Sequence, residues 1–251
     1  LIYDHGIMFD GRNRKVLGVE IDIDVDGITP INLHPYRWSP AKMEAFGPII
    51  EEFIRDGIVK PGCSQWSFPA SLVPKPNGAG WRLVVDLRKL NEVTDQDMYE
   101  PPSCDICLEW MMQNGYRTVF DLAWGFHQLA LTEESMNVFT FTTPRGCYSY
   151  TRLAMGYINA TAIFQRVVNH TFGDSLWRNA VLMVDDGAIG SKTLAQHRID
   201  NLENWTKMAE RHHSVKPKKM SILPREVKYL GHVVTQDGIR PSDTHVKAIK
   251  D

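Results

Sequence analysis

Apolar residues along the chain recur at two periods, and each period marks a different element. Ile21, Ile23 and Val25 alternate with Glu20, Asp22, Asp24 and Asp26, the pattern of a strand with one wet face. Met43, Phe46, Ile50, Phe53 and Ile54 share one face at helical spacing, opened by Ser39-Pro40 and closed by Gly57. Gly47-Pro48 inside this run predicts a kink or two short helices. Ser71-Leu72-Val73 and Trp81-Arg82-Leu83-Val84-Val85 predict a hairpin whose Gly- and Pro-rich loop, Pro74 through Ala79 to Gly80, carries Lys75. Thr118-Val119-Phe120-Asp121-Leu122 is a buried strand with one carboxylate at its end. Trp124-Gly125 then turns the chain back into Leu129-Ala130-Leu131, and lone His127 reads as structural. Phe139-Thr140-Phe141-Thr142 is a further strand, stopped by Pro144-Arg145-Gly146. Asn159 is placed to cap a helix that carries Ile163, Phe164, Val167 and Val168 and ends near Gly173. Ile199, Leu202, Trp205 and Met208 repeat every three residues and predict a helix covering the sheet. The basic run Lys216-Pro217-Lys218-Lys219 leads into Val227 to Val234, followed by a turn at Gln236-Asp237-Gly238. Strands and helices interleave without regular βαβ spacing, so the expected class is α+β.

The sharpest local feature is the stretch Ala180-Val181-Leu182-Met183-Val184-Asp185-Asp186-Gly187-Ala188-Ile189-Gly190. Five apolar residues ending in a turn former read as a buried strand. Gly187 is the residue expected to reverse the chain, which puts both aspartates at the tip of a hairpin. Two like charges at the end of an apolar strand are costly unless a cation neutralises them. Asp121 has a similar setting. If the two strands are neighbours, Asp121, Asp185 and Asp186 converge on an oxygen-lined site suited to Mg²⁺. Two such ions can clamp the attacking and leaving oxygens of a phosphoryl transfer. An Asp-Asp pair alone is more often a solvated turn, so the dipeptide does not carry this reading by itself.

Composition narrows the picture only a little. A chain of 251 residues buries a sizeable core, as one large domain or two small ones. No apolar run approaches the roughly 20 residues that span a bilayer. The first residue is Leu1, so the chain reads as a piece of something longer. The net charge of −2 gives no global argument for nucleic acid, but the charge is uneven. From Lys192 to Asp251 there are 12 Lys and Arg against 7 Asp and Glu, and elsewhere 16 against 23. A basic C-terminal portion suits a phosphate backbone, although a solvated face is the commoner meaning of such an excess. Four cysteines make no disulfide framework in a chain this long. Cys104-x-x-Cys107 has neither a second pair nor a histidine at ligand spacing, which argues against zinc. Asp22, Asp24, Asp26 and Gly27 match half of a calcium loop, but Leu33 stands where the closing glutamate belongs.

Several blocks occur together in a fixed order. They are Ser71-Leu72-Val73-Pro74-Lys75 with Trp81-Arg82; Val85-Asp86-Leu87-Arg88-Lys89-Leu90-Asn91; Phe120-Asp121-Leu122 with Gly125-Phe126-His127-Gln128; Thr143-Pro144-Arg145-Gly146; Met155-Gly156 with Asn159-Ala160 and Phe164-Gln165-Arg166; Asp185-Asp186; and Tyr229-Leu230-Gly231-His232. Over about residues 31–251 this set resembles the reverse transcriptases of gypsy-type LTR retrotransposons, kin of the retroviral enzymes. The resemblance implies a right-hand polymerase fold with an antiparallel palm sheet packed on helices. Residues 1–38 would be a lead-in, 39–104 and 132–155 fingers, 105–131 and 156–251 palm. The thumb, connection and RNase H regions of the Pol polyprotein are expected outside this chain. The implied activity is RNA-directed DNA synthesis, transferring a nucleotide from dNTP to a primer 3′-hydroxyl on an RNA or DNA template. Two Mg²⁺ ions are implied, with Mn²⁺ as the alternative. An intracellular site, in a particle of the element and away from membranes, goes with it.

The resemblance also implies roles. Asp121, Asp185 and Asp186 would hold the metals, and Lys75 and Arg82 would meet the triphosphate. Phe126 would act as a steric gate against a 2′-hydroxyl. Met155 and Gln165 would line the nucleotide site, and Tyr229, Leu230, Gly231 and His232 would bear on the primer end. Three features depart from the family pattern. Met183 replaces the tyrosine two residues before the aspartate pair, Gly187-Ala188 replace two bulky residues and should loosen the hairpin, and Thr161 replaces a helix-start proline. These departures define the alternative reading, a catalytically impaired remnant that binds nucleic acid.

Overall fold

A computed structural model of the protein describes residues 6–78, 80–235 and 237–242. Ala79 and Gln236, named above in two turns, lie outside the described residues. The chain divides into two compact units, one of Leu1–Leu17, Tyr99–Gly125 and Thr161–Asp251, the other of Gly18–Met98 and Phe126–Ala160. Each unit combines helices with a mainly antiparallel sheet. The stretch 1–38 is therefore not one lead-in. Met8 is fully buried, the Val215 amide donates to its carbonyl, and Phe9 meets the Trp205 ring edge-on at 5.8 Å. Apolar burial makes Met8 and Phe9 part of a core.

In the unit Gly18–Met98 with Phe126–Ala160, five strands lie in the order Val59–Pro61, Gly146–Tyr150, Thr140–Thr143, Phe68–Pro74, Trp81–Val85. Only the Phe68–Pro74 and Thr140–Thr143 pair is parallel. Phe46, Phe68, Phe139 and Phe141 are fully buried beneath them. The helix Pro40–Arg55 runs unbroken through Pro48. Proline removes one backbone donor, but Phe46 and Ile50 are buried on either side and hold both halves on one core. The alternating run from Glu20 becomes a strand only at Glu20–Ile21, parallel to Ala130–Leu131. Asp22 then accepts hydrogen bonds from the Thr132 and Ser135 hydroxyls, each at 3.0 Å. Its carboxylate finishes a helix start rather than a calcium loop.

In the other unit a four-stranded antiparallel sheet has the order Ser221–Ile222, Tyr116–Asp121, Asp186–Ser191, Ala180–Met183. Helices Cys104–Met112, Ala160–Phe172 and Leu194–Glu210 accompany it. Phe120 stacks on Phe172 and meets Trp205 edge-on at 5.0 Å, so this aromatic trio joins sheet to helices. The helix Leu194–Glu210 covers the sheet with an unexpected face. Ile199 and Leu202 are 59% and 47% exposed, whereas His197, Asp200, Asn201 and Asn204 are buried beside Trp205 and Met208. The run Val227 to Val234 is a hairpin, Val227–Tyr229 against His232–Val234, because Leu230 and Gly231 both take positive φ.

Candidate active site

Asp121 is the last residue of its strand, and the antiparallel register places Asp186 directly opposite it. The Leu122 amide donates to the Asp185 carbonyl at 2.7 Å, so all three aspartates lie at one end of the sheet. The reversal is not made by Gly187. Met183 pairs with Asp186, which leaves Val184 and Asp185 as the turn. Val184 has φ +58°, a left-handed conformation that is costly for a β-branched residue. Gln165 holds it there. The Val184 amide donates to Gln165 Oε1 at 2.7 Å, and Gln165 Nε2 donates to the Leu182 carbonyl at 3.1 Å and to Asn169 Oδ1 at 2.8 Å. Gln165 is 1% exposed. Its amide is committed to the hairpin, which corrects the expectation that it meets the nucleotide.

Gly187 sits in the ladder opposite Phe120. A Cβ at Gly187 would lie 2.3 Å from Phe120 Cζ. The Phe120 ring already covers the space that a side chain would take, so the expected loosening is absent. Ala188 is fully buried in a core with Val119, Val181, Val227 and Tyr229.

The electrostatics at this sheet end are lopsided. Asp121, 5% exposed, is paired with the ammonium groups of Lys216 and of Lys219, the latter at 2.5 Å. The Lys216 amide also donates to the Asp121 carbonyl at 2.9 Å, which anchors the loop that brings both lysines in. Burial, then the charges of Asp185 and Asp121, push the Asp186 carboxyl up to about 6. The hydrogen bond to Asp121 raises Lys219. Tyr229 is buried, and its hydroxyl donates to the Asp186 carbonyl at 3.4 Å.

Among the described residues no three His, Cys, Asp or Glu side chains stand ready assembled around a metal position. The donor set nevertheless fits a hard divalent cation. Its donors are carboxylate oxygens, it holds excess negative charge, and two ammonium groups already occupy the place of a counter-cation on Asp121.

A family model described as reverse transcriptase (RNA-dependent DNA polymerase) matches residues 73–234. The chain belongs to this family. It is 37% identical over 204 residues to the Retrovirus-related Pol polyprotein from transposon 297 of Drosophila melanogaster, covering 80% of this chain and 19% of that relative. To the polyprotein from transposon gypsy of the same fly it is 30% identical over 208 residues, covering 80% and 20%. The chain thus spans about a fifth of the length of these LTR-retrotransposon relatives. The foamy viral protease-reverse transcriptase, solved in complex with double-stranded DNA, superposes with a TM-score of 0.89 at 21% identity, over 100% of this chain and 44% of that one. The same enzyme in complex with an RNA/DNA hybrid gives 0.87 over 100% and 34%. The α+β architecture is the right-hand polymerase fold.

Four other expected residues lie in the unit Gly18–Met98 with Phe126–Ala160. Lys75 and Arg82 are exposed on one hairpin, whose register sets Val73 opposite Arg82. The Lys75 amide closes its loop on the Gly80 carbonyl at 2.7 Å. Phe126 is half-buried on the turn Gly125–Gln128, and Met155 is 46% exposed. His127 beside the gate position is buried, stacks on Tyr150 and meets Phe53 edge-on, and burial pushes it down to about 4. In the hairpin at Tyr229, Lys228 is exposed, and Leu230, Gly231 and His232 are half-buried. Tyr229 points into the core, and His232 Nδ1–H donates to the Leu230 carbonyl at 2.9 Å. Sequence reasoning missed Lys216 and Lys219. The basic run Lys216-Pro217-Lys218-Lys219 was the available signal, but nothing local linked it to Asp121, almost a hundred positions upstream.

Proposed function

We propose that this protein forms the fingers (residues 39–104 and 132–155) and palm (105–131 and 156–251) of a retrotransposon reverse transcriptase, which extends a primer with dNTPs on an RNA or DNA template. The observation that carries the reading is Asp121 facing Asp186 across two antiparallel strands, with Asp185 on the adjoining turn, in a chain of this family. Divalent-metal dependence is general to the family. Two Mg²⁺ ions, when bound, would supply activation of the primer 3′-hydroxyl and neutralisation of the triphosphate.

The chain's own residues do the rest. Asp121, Asp185 and Asp186 offer oxygen donors, and the charge crowding that raises Asp186 favours a cation there. Lys216 and Lys219 pair with buried Asp121 where that cation would otherwise stand. Gln165 fixes the tip that carries Asp185. Lys75 supplies a point charge, and Arg82 a planar cation, for triphosphate oxygens. Phe126 excludes the volume of a 2′-hydroxyl. The ring of Phe120 over Gly187 supports this reading over an impaired remnant, since it removes the looseness that the departure implied.

Primer extension on an RNA template with dNTPs and Mg²⁺ tests the proposal, with the Asp185→Asn/Asp186→Asn double variant beside the unaltered protein. Extension by the unaltered protein alone is expected. Primer–template binding without extension by either would sustain the remnant instead.

A further inference from the structure

All four cysteines are free, and two of them line one cavity in the unit Gly18–Met98 with Phe126–Ala160. Cys63 follows the strand Val59–Pro61, and Cys147 lies in its antiparallel neighbour Gly146–Tyr150. The ladder continues past Pro61, where the Gly62 amide donates to the Cys147 carbonyl at 3.2 Å. Gly62 puts no side chain between that ladder position and the residue after it. Both cysteines line one cavity of about 240 Å³, with His34, Thr140 and Thr142 in the same wall. The neighbouring Cys147 thiol pushes the Cys63 thiol up, and Cys147 Sγ itself lies 3.9 Å from Thr142 Oγ1 in the same wall. Cys63 is exposed and Cys147 half-buried, so an oxidant reaches the first and the second stands behind it.

Two ligand chemistries compete for such a pair. Structural zinc takes four ligands, more than two sulfurs supply. His34 shares the cavity, but among the described residues no third ligating group is assembled with the cysteines. Two cysteines in one cavity wall, one in a strand and the other just past the end of its paired neighbour, are by contrast placed for a disulfide. We propose that Cys63 and Cys147 form a reversible dithiol–disulfide site, closed by peroxides and reopened by dithiol reductants.

The chemistry balances. The Cys63 thiolate attacks one peroxide oxygen, the O–O bond breaks, and the hydroxide that leaves takes a proton to become water. Cys147 sulfur then attacks the sulfenic acid, the S–S bond forms, and a second water leaves. Two electrons pass from the two sulfurs to one hydrogen peroxide. A dithiol reductant reverses the step and is itself oxidised to a disulfide. The Cys147 thiol beside it pushes the Cys63 thiol up, so closure speeds up as pH rises.

The test treats the protein with hydrogen peroxide, counts thiols after unfolding and maps the peptides by mass. The expected result is a fall from four thiols to two, a linked peptide joining residues 63 and 147, and full recovery with dithiothreitol. Cys63→Ser and Cys147→Ser should each remove the link, and the Cys104→Ser/Cys107→Ser variant should keep it. Phenylarsine oxide, which bridges only adjacent thiols, should bind the unaltered protein one to one and protect these two cysteines, a readout that needs no variant to fold. A bridge between Cys104 and Cys107 alone, or Cys63 driven to sulfinic acid with Cys147 still free, would overturn the proposal.

Discussion

At one end of the strand Asp186–Ser191, Asp186 faces Asp121 and sits beside Asp185, with burial and these neighbours pushing it up to about 6. At the other end, Ser191 donates to Asp200 at 2.5 Å and shares a hydrogen bond with His197 Nδ1 at 3.0 Å. Thr118 holds His197 Nε2 at 2.9 Å, and Asn179 and Gln196 both donate to Asp200. Beyond them Glu203 is raised by burial but overruled by Arg178, Lys207, Ser175 and Asn179, which bring it down to about 2. The same residue types thus meet opposite fates within one strand. Ser191, His197 and Asp200 even carry the names of a hydrolytic triad, yet the serine is buried and gives its proton to the aspartate, so it is no nucleophile. Satisfied carboxylates hold the fold, and crowded ones mark the place where a cation belongs.

The sharpest way to break this contrast is to neutralise one carboxylate at each end. Asp121→Asn should lower primer extension about 10³-fold or more with little change in urea unfolding. If extension persisted, the crowded end would not be the reaction centre. Asp200→Ala leaves Ser191, Asn179 and Gln196 without their acceptor, and should cost roughly 3 kcal/mol in urea unfolding while the folded fraction keeps its extension rate. Gly187→Leu drives a side chain into the Phe120 ring and should destabilise by about 2 kcal/mol. Combining it with Phe120→Ala should recover part of that loss, a coupling that a double-mutant cycle reads directly. The smallest effect is in acid. Because Glu203 is depressed, its contribution is fully present above the ordinary glutamate range and is lost as pH falls from about 4.3 towards about 2. Partial exposure holds this to under about 1 kcal/mol. Stability curves of the protein and of Glu203→Gln should converge across that window, and parallel curves would show that Glu203 is not held by its cations.

Sequence periodicity located the strands Phe68–Pro74, Trp81–Val85, Tyr116–Asp121, Thr140–Thr143 and Ala180–Met183 and the helix Leu194–Glu210, because a two-residue or near-four-residue repeat is written locally, but it missed the strands Val59–Pro61, Gly146–Tyr150 and Ser221–Ile222. It misjudged that helix's buried face. Ile199 and Leu202 looked like core, but a sheet end that presents Thr118, Ser191 and Asn179 selects polar partners, and Asp200, His197 and Asn204 supply them. Asp121, Asp185 and Asp186 were legible from apolar runs that end in acid. Their ordering by Lys216, Lys219 and Gln165 was not, since each contact spans a register that only the folded sheet creates. The turn was misplaced by three residues for a related reason. Gly187 looked like the flexible link, yet its lack of a side chain serves the ring across the ladder, and Val184 takes the unusual backbone.

The pairing of Gly187 with Phe120 also bears on how such a chain changes through inheritance. A bulky residue cannot return at 187 while the ring stands at 120, and a smaller residue arriving first at 120 leaves a void beside Phe172 and Trp205. Either single step passes through a less stable protein. The two positions are therefore expected to drift as a pair, and a lineage that has taken the glycine is held to its aromatic partner.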